Sequence, residues 1–156
     1  MRNQELSRQI QRLNRLFGLT KDVSDSDMSI QAHWARYLCV LVSGFVENAL
    51  KEIYSDFIKR TASPPVAGYA IKNLLTLNNP KAEKVQQITQ SFKEDWGKEL
   101  ESFMGENGRK DAIDSVMNNR HQIAHGKEIG ITINTLRNYF DRILEVVTLL
   151  EEQSLR

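Results

Sequence analysis

The stretch MSIQAHWARYLCVLVSGFVENALKEIYSDFIKR, residues 28–60, carries Cys39, Val42, Val46, Leu50, Ile53 and Phe57 at steps of three or four. That is the period of an α-helix with one broad apolar face, and its length marks it as the central helix of the fold. Ser63-Pro64-Pro65 stops it, because proline lacks an amide donor and disfavours helical geometry in the residue before it. The polar segment 19–28, rich in Ser and Asp, reads as the preceding loop and offers Asp27 and Ser29 as N-cap candidates.

Working outward, Leu6, Ile10, Leu13 and Phe17 form the stripe of a first helix that Gly18 can terminate. Arg8, Arg12 and Arg15 share another face of it, suited either to a phosphate backbone or to plain solvation. On the other side, an apolar stretch from Tyr69 to Leu77 is followed by Asn79-Pro80, read as the N-cap and first residue of a helix whose stripe is Val85, Ile88 and Phe92. Leu100 and Phe103 belong to a further short helix, and Gly105 with Asn107-Gly108 forms a turn, so this region reads as a short helical insert. A helix from about Arg109 to His125 comes next, with Gly126 as its left-handed terminator. The last helix begins near Thr132, where Ile131 and Leu136 occupy hydrophobic-staple positions, and continues through Phe140, Ile143, Val147 and Leu150. With no strand, hairpin, repeat or low-complexity signal, the sequence predicts an all-α bundle.

The 156 residues suffice for one domain with a continuous core, without disulfides or structural metals. Forty per cent apolar and 26% charged residues exclude a disordered or collagen-like chain. A formal net charge of +1 gives no global attraction to nucleic acid or anionic membrane, so an RNA contact must come from a local patch. The start, Met-Arg-Asn-Gln-Glu-Leu, lacks a signal-peptide core and no run approaches a membrane span, which predicts a cytoplasmic protein without a membrane partner. The one cysteine, Cys39, sits in the apolar run Tyr37 to Val42, as a small buried hydrophobe would.

Chemistry concentrates in the helix before the last. Ile113, Val116, Met117 and Ala124 form its apolar stripe, and Arg120 falls on the same stripe. A guanidinium stays charged at any working pH, so burial requires an acidic or phosphate partner, or a cleft that admits one. Glu47, on the flank of the central helix's apolar face, is the candidate partner, in which case the pair could simply fix helix register. His121 and His125 lie one turn apart on one face beside Asn118 and Gln122. Two such histidines can ligate a metal, but no third ligand and no zinc-protease glutamate accompany them, so neither a metal nor another cofactor is expected. His125 also suits a helix C-terminus, where an imidazolium meets the dipole favourably. Arg120 and His125 are about 140° apart on a regular helix, so a shared site needs the long arginine, a relaxed helix end, or a second protomer's copies.

The segment Asn118-Asn119-Arg120-His121-Gln122-Ile123-Ala124-His125-Gly126, followed by a long amphipathic helix and preceded by a central helix carrying Ser43 and Glu47, resembles the HEPN superfamily. Its pattern is an arginine, four to six residues, then a histidine, met here by Arg120 and His125, with His121 as the polar residue after the arginine. The resemblance covers most of the chain, predicts one HEPN-like helical domain over residues 1–156, and looks closest to the branch of RNases found in restriction and phage defence. It implies a metal-independent endoribonuclease in which two protomers bring Arg120 and His125 to one cleft. His125 would then act as general acid or base, Arg120 would stabilise phosphorane charge, and a 2′,3′-cyclic phosphate would result. Asn119, His121 and Glu47 would support the pair. RNA is the implied substrate, a second copy the implied partner, and an antitoxin or defence-system protein a further one. A tyrosine that one toxin branch carries two residues after the motif histidine is Lys127 here, which does not support that branch's regulatory modification. The alternative is a HEPN module that binds RNA, nucleotide or protein without cleavage, or a purely structural helical protein.

Overall fold

The computed structural model describes residues 1–23 and 27–156, and its described elements are seven helices: α1 (Gln4–Val23), α2 (Met28–Thr61), α3 (Pro64–Leu74), α4 (Ala82–Phe92), α5 (Glu94–Met104), α6 (Arg109–Ala124) and α7 (Ile133–Leu155). The all-α expectation holds. Among the described residues no helix is long and apolar enough to cross a membrane.

The 34-residue α2 is the axis against which α1, α3, α6 and α7 pack. Phe45 meets Phe140 edge-on and Arg60 donates to the Ser154 carbonyl, so α2 and α7 run in the same direction. α1 runs against them: Asn3 donates to Asp56 near one end, and Phe17 stacks on Phe140 toward the other. α6 also runs against α7, since Arg109 at its start is paired with Glu145 and a short turn joins its end to the start of α7. The end of α6 therefore shares one end of the bundle with the beginnings of α2 and α7. Leu38, Val42, Ile113, Val116, Leu136, Phe140 and Ile143 fill the space between these helices and are essentially excluded from solvent.

Asp27 caps α2, accepting from the Ser29 amide at 2.8 Å, and the two prolines that end α2 occupy the first positions of α3, where a missing amide costs nothing. Thr132 caps α7 through the Thr135 amide, and Ile131 packs on the core as the staple requires. The turn of Gly105 and Asn107-Gly108 also stands as expected, with Asn107 and Gly108 left-handed.

Three expectations are corrected. Gly18 does not end α1, which continues to Val23: Thr20 is buried below Phe17 and its hydroxyl donates to the Phe17 carbonyl, so burial outweighs the modest cost of one helical glycine. The predicted loop 19–28 shrinks accordingly, and its residues 24–26 lie outside the described residues. Asn79-Pro80 do not open α4 either. Lys81 is the N-cap position, Asn79 is left-handed (φ 43°), and the amide of Ala82 is satisfied by the Asp114 carboxylate of α6 at 2.9 Å. A cap from a distant helix has no local sequence signature.

α4 and α5 pack on each other through Gly97, where a Cβ would meet the Gln90 backbone at 2.9 Å. The buried Tyr54 hydroxyl pairs with Thr89 at 2.6 Å and ties this insert to α2.

Candidate functional site

The end of α6 is built by a two-bond terminator. The Lys127 amide donates to the Gln122 carbonyl and the Gly126 amide to the Ile123 carbonyl, both at 3.0 Å, with Gly126 at φ 70°. This Schellman arrangement sets His125 as the C-cap, at φ −92° and ψ 12°. Both motif histidines are exposed, and their rings meet edge-on with centroids 4.4 Å apart. The imidazoles thus form one solvent-facing pair.

Arg120 is half-buried on the inward side, next along the stripe of Ile113, Val116 and Met117. Among the described residues it makes no ion pair or side-chain hydrogen bond. The expected stripe differs in one place: Ala124 is exposed, and Ile123 packs on the core instead.

A direct Arg120–Glu47 bridge does not form. Glu47 is held by Lys51, 2.7 Å away and one turn along α2, and by the Asn79 amide at 2.9 Å. Burial pushes the Glu47 carboxyl upward, but the Lys51 hydrogen bond, the Asn79 amide and the charges of Lys51 and Arg120 outweigh it and hold the group below its ordinary value. Arg120 therefore acts on Glu47 at longer range. A nearer cation reached that carboxylate first, because Lys51 shares its helix face.

Asn119 is half-buried and its side chain donates to the Ser115 carbonyl at 2.8 Å, so it is engaged within its own helix. Ser43 does likewise, donating to the Val40 carbonyl at 2.7 Å. Cys39 is fully buried with its Sγ 3.6 Å from the Val116 carbonyl, and burial pushes its thiol up to about 12, as an inert packing residue requires. Arg8, Arg12 and Arg15 are all exposed. Among the described residues no three His, Cys, Asp or Glu side chains gather into a metal-binding group.

The structure thus brings His121 and His125 together in solvent, leaves Arg120 half-buried on the inward side of the same helix, and keeps Asn119 and Glu47 on other partners. Motif reading passes over Arg36, half-buried seven positions before Ser43 on α2, whose Nε is buried without a hydrogen-bond partner.

No curated protein and no solved structure matches the chain. The sequence pattern of one family does match, over residues 2–155, and that family is described as RiboL-PSP-HEPN. With an Arg-x4-His helix in a bundle of helices matched over nearly its whole length, the chain belongs to the RiboL-PSP-HEPN family of the HEPN superfamily.

Proposed function

We propose that this chain is a metal-independent endoribonuclease that cleaves RNA with Arg120 and His125 at a cleft between two copies of itself, in phage defence, toxin–antitoxin action or stress response. HEPN membership ties the chain to RNA-related function. The observation that carries catalysis is the pairing of unlike environments at one helix end: Arg120 is half-buried and has no carboxylate partner among the described residues, while His125 stands in solvent beside His121. A guanidinium held by packing is preorganised for phosphorane charge. An exposed imidazole can take the ribose 2′-hydroxyl proton, and its conjugate acid can protonate the leaving 5′-oxygen. The 2′-oxygen attacks phosphorus, the P–O5′ bond breaks, and a 2′,3′-cyclic phosphate is left.

Two protomers answer the divergence of the two side chains. Where α6 meets its symmetry mate, Arg120 of one copy and His125 of the other face a common groove. Purified protein incubated with labelled single-stranded RNA in excess EDTA should give cyclic-phosphate ends, and His125→Ala should abolish them while leaving the fold and dimer intact.

The same divergence within one copy favours a second reading, a module that binds RNA, nucleotide or a partner protein without cutting. Equal binding by wild type and His125→Ala, with no cleavage by either, would select it.

A further inference from the structure

The inward strip of α2 carries a guanidinium that the family motif does not contain. Arg36, Ser43 and Glu47 are spaced by seven and four residues, which puts them within about 40° of one another around the helix. The level of Arg36 along the bundle follows from Cys39, whose Sγ lies against the Val116 carbonyl of α6. α2 and α6 run in opposite directions, so one turn toward the start of α2 is one turn toward the end of α6, from Val116 to Arg120. The backbone of Arg36 therefore stands near the level of the Arg120 backbone.

Arg36 is half-buried, and its Nε is buried with no hydrogen-bond partner. A guanidinium cannot neutralise itself by losing a proton, and a buried N–H without an acceptor destabilises the fold that contains it. Among the described residues no carboxylate forms an ion pair with Arg36 or Arg120, and Glu47, on the same strip, is held by Lys51 and Asn79. Two arginines on packed antiparallel helices, neither in a direct ion pair with a carboxylate among the described residues, suit a ligand that carries more than one anionic group. A fork-shaped donor set is the side chain best suited to phosphate oxygens.

We propose that Arg36 binds a phosphate next to the scissile one, so that Arg36 and Arg120 together recognise consecutive phosphates of a single RNA strand. This rests on the ribonuclease reading and adds to it a substrate requirement: the site prefers an oligonucleotide over a dinucleoside monophosphate, which has no flanking phosphate. Arg36 is a binding residue and takes no part in proton transfer.

The test compares Arg36→Met, which keeps the length of the stem and removes the fork, with Arg36→Lys, which keeps the charge. In a His125→Ala background, affinity for a labelled oligouridylate is measured against salt concentration. In the active background, cleavage of the oligonucleotide is compared with cleavage of uridylyl-uridine. Arg36→Met should weaken oligonucleotide binding by about tenfold or more and lower the salt slope by about 0.7, with cleavage of the dinucleoside monophosphate unchanged. Its melting temperature should stay level or rise, because a buried unpaired donor has been removed. Arg36→Lys should keep much of the salt slope and lose part of the affinity. Unchanged oligonucleotide affinity and slope in Arg36→Met overturn the proposal, as does a lowered melting temperature with equal loss on both substrates, which marks a packing role. Failure of the wild-type chain to bind or cut any RNA is a different result: it removes the ribonuclease reading itself, and the role of Arg36 with it.

Discussion

Replacing Gly126 with alanine tests the geometry that sets His125. Gly126 sits at φ 70°, where an L residue with a Cβ is disfavoured by about 1–2 kcal/mol. Nothing lies within 4 Å of a Cβ built there, so the cost is backbone conformation alone. Restricting the unfolded chain offsets ~0.4–1 kcal/mol of it. The net loss is about 1 kcal/mol, or ~2–4 °C in melting temperature for a chain of this length. Gly130→Ala is the matched control: it lies in the same connection, has the same open space, and lacks a left-handed φ, so it should melt at or slightly above the wild type. Gly126→Asn should fall between them, because asparagine tolerates the left-handed region better than alanine does. Circular-dichroism melts measure the stability term, and RNA cleavage by the same proteins measures its functional consequence. The amides of Gly126 and Lys127 fix the helix end on which His125 stands, so activity at a temperature where all variants are folded should fall in the order of the melts. If Gly126→Ala melts with Gly130→Ala and cleaves as well as the wild type, the left-handed terminator does not position the histidine.

Glu151 is buried and accepts from the Arg2 amide at 2.8 and 3.0 Å and from the Asn3 amide at 2.7 Å, pinning the start of α1 to α7. Glu151→Ala should lower the unfolding free energy by about 2 kcal/mol in urea titrations, with Glu151→Gln keeping part of it, and a variant as stable as the wild type would contradict the clamp. Glu47 is ionised more readily in the folded chain than its ordinary value of 4.5 implies, so its contribution is complete above that pH and is lost as pH falls through the lower folded value. The urea midpoint of the wild type should therefore exceed that of Glu47→Gln near neutral pH and converge on it well below pH 4.5, whereas a constant gap would show that the carboxyl charge contributes nothing.

What could be read from the sequence was whatever local physics repeats along the chain. The steps of three and four through α2 and α7, the Asp27 and Thr132 caps, and the prolines after α2 act within a turn or two of themselves, and each appears where it was expected. Misreadings came where a distant residue decided the outcome. Asp114 supplies the α4 cap that Asn79-Pro80 had been expected to supply, and burial of Thr20 carries α1 past Gly18.

The sequence by itself determined the helical class, the order of the main helices and the Arg120–His125 spacing, because periodicity and capping depend only on neighbours in the chain. Which contacts join distant parts of the chain was decided by the tertiary structure alone. Arg120 and Glu47 both face inward, yet the Asn79 amide joins the same-helix Lys51 on the carboxylate, and the backbone of Arg36 comes level with that of Arg120 only because α2 and α6 run in opposite directions. Charges pair by distance in space, and that distance is fixed by how whole helices pack.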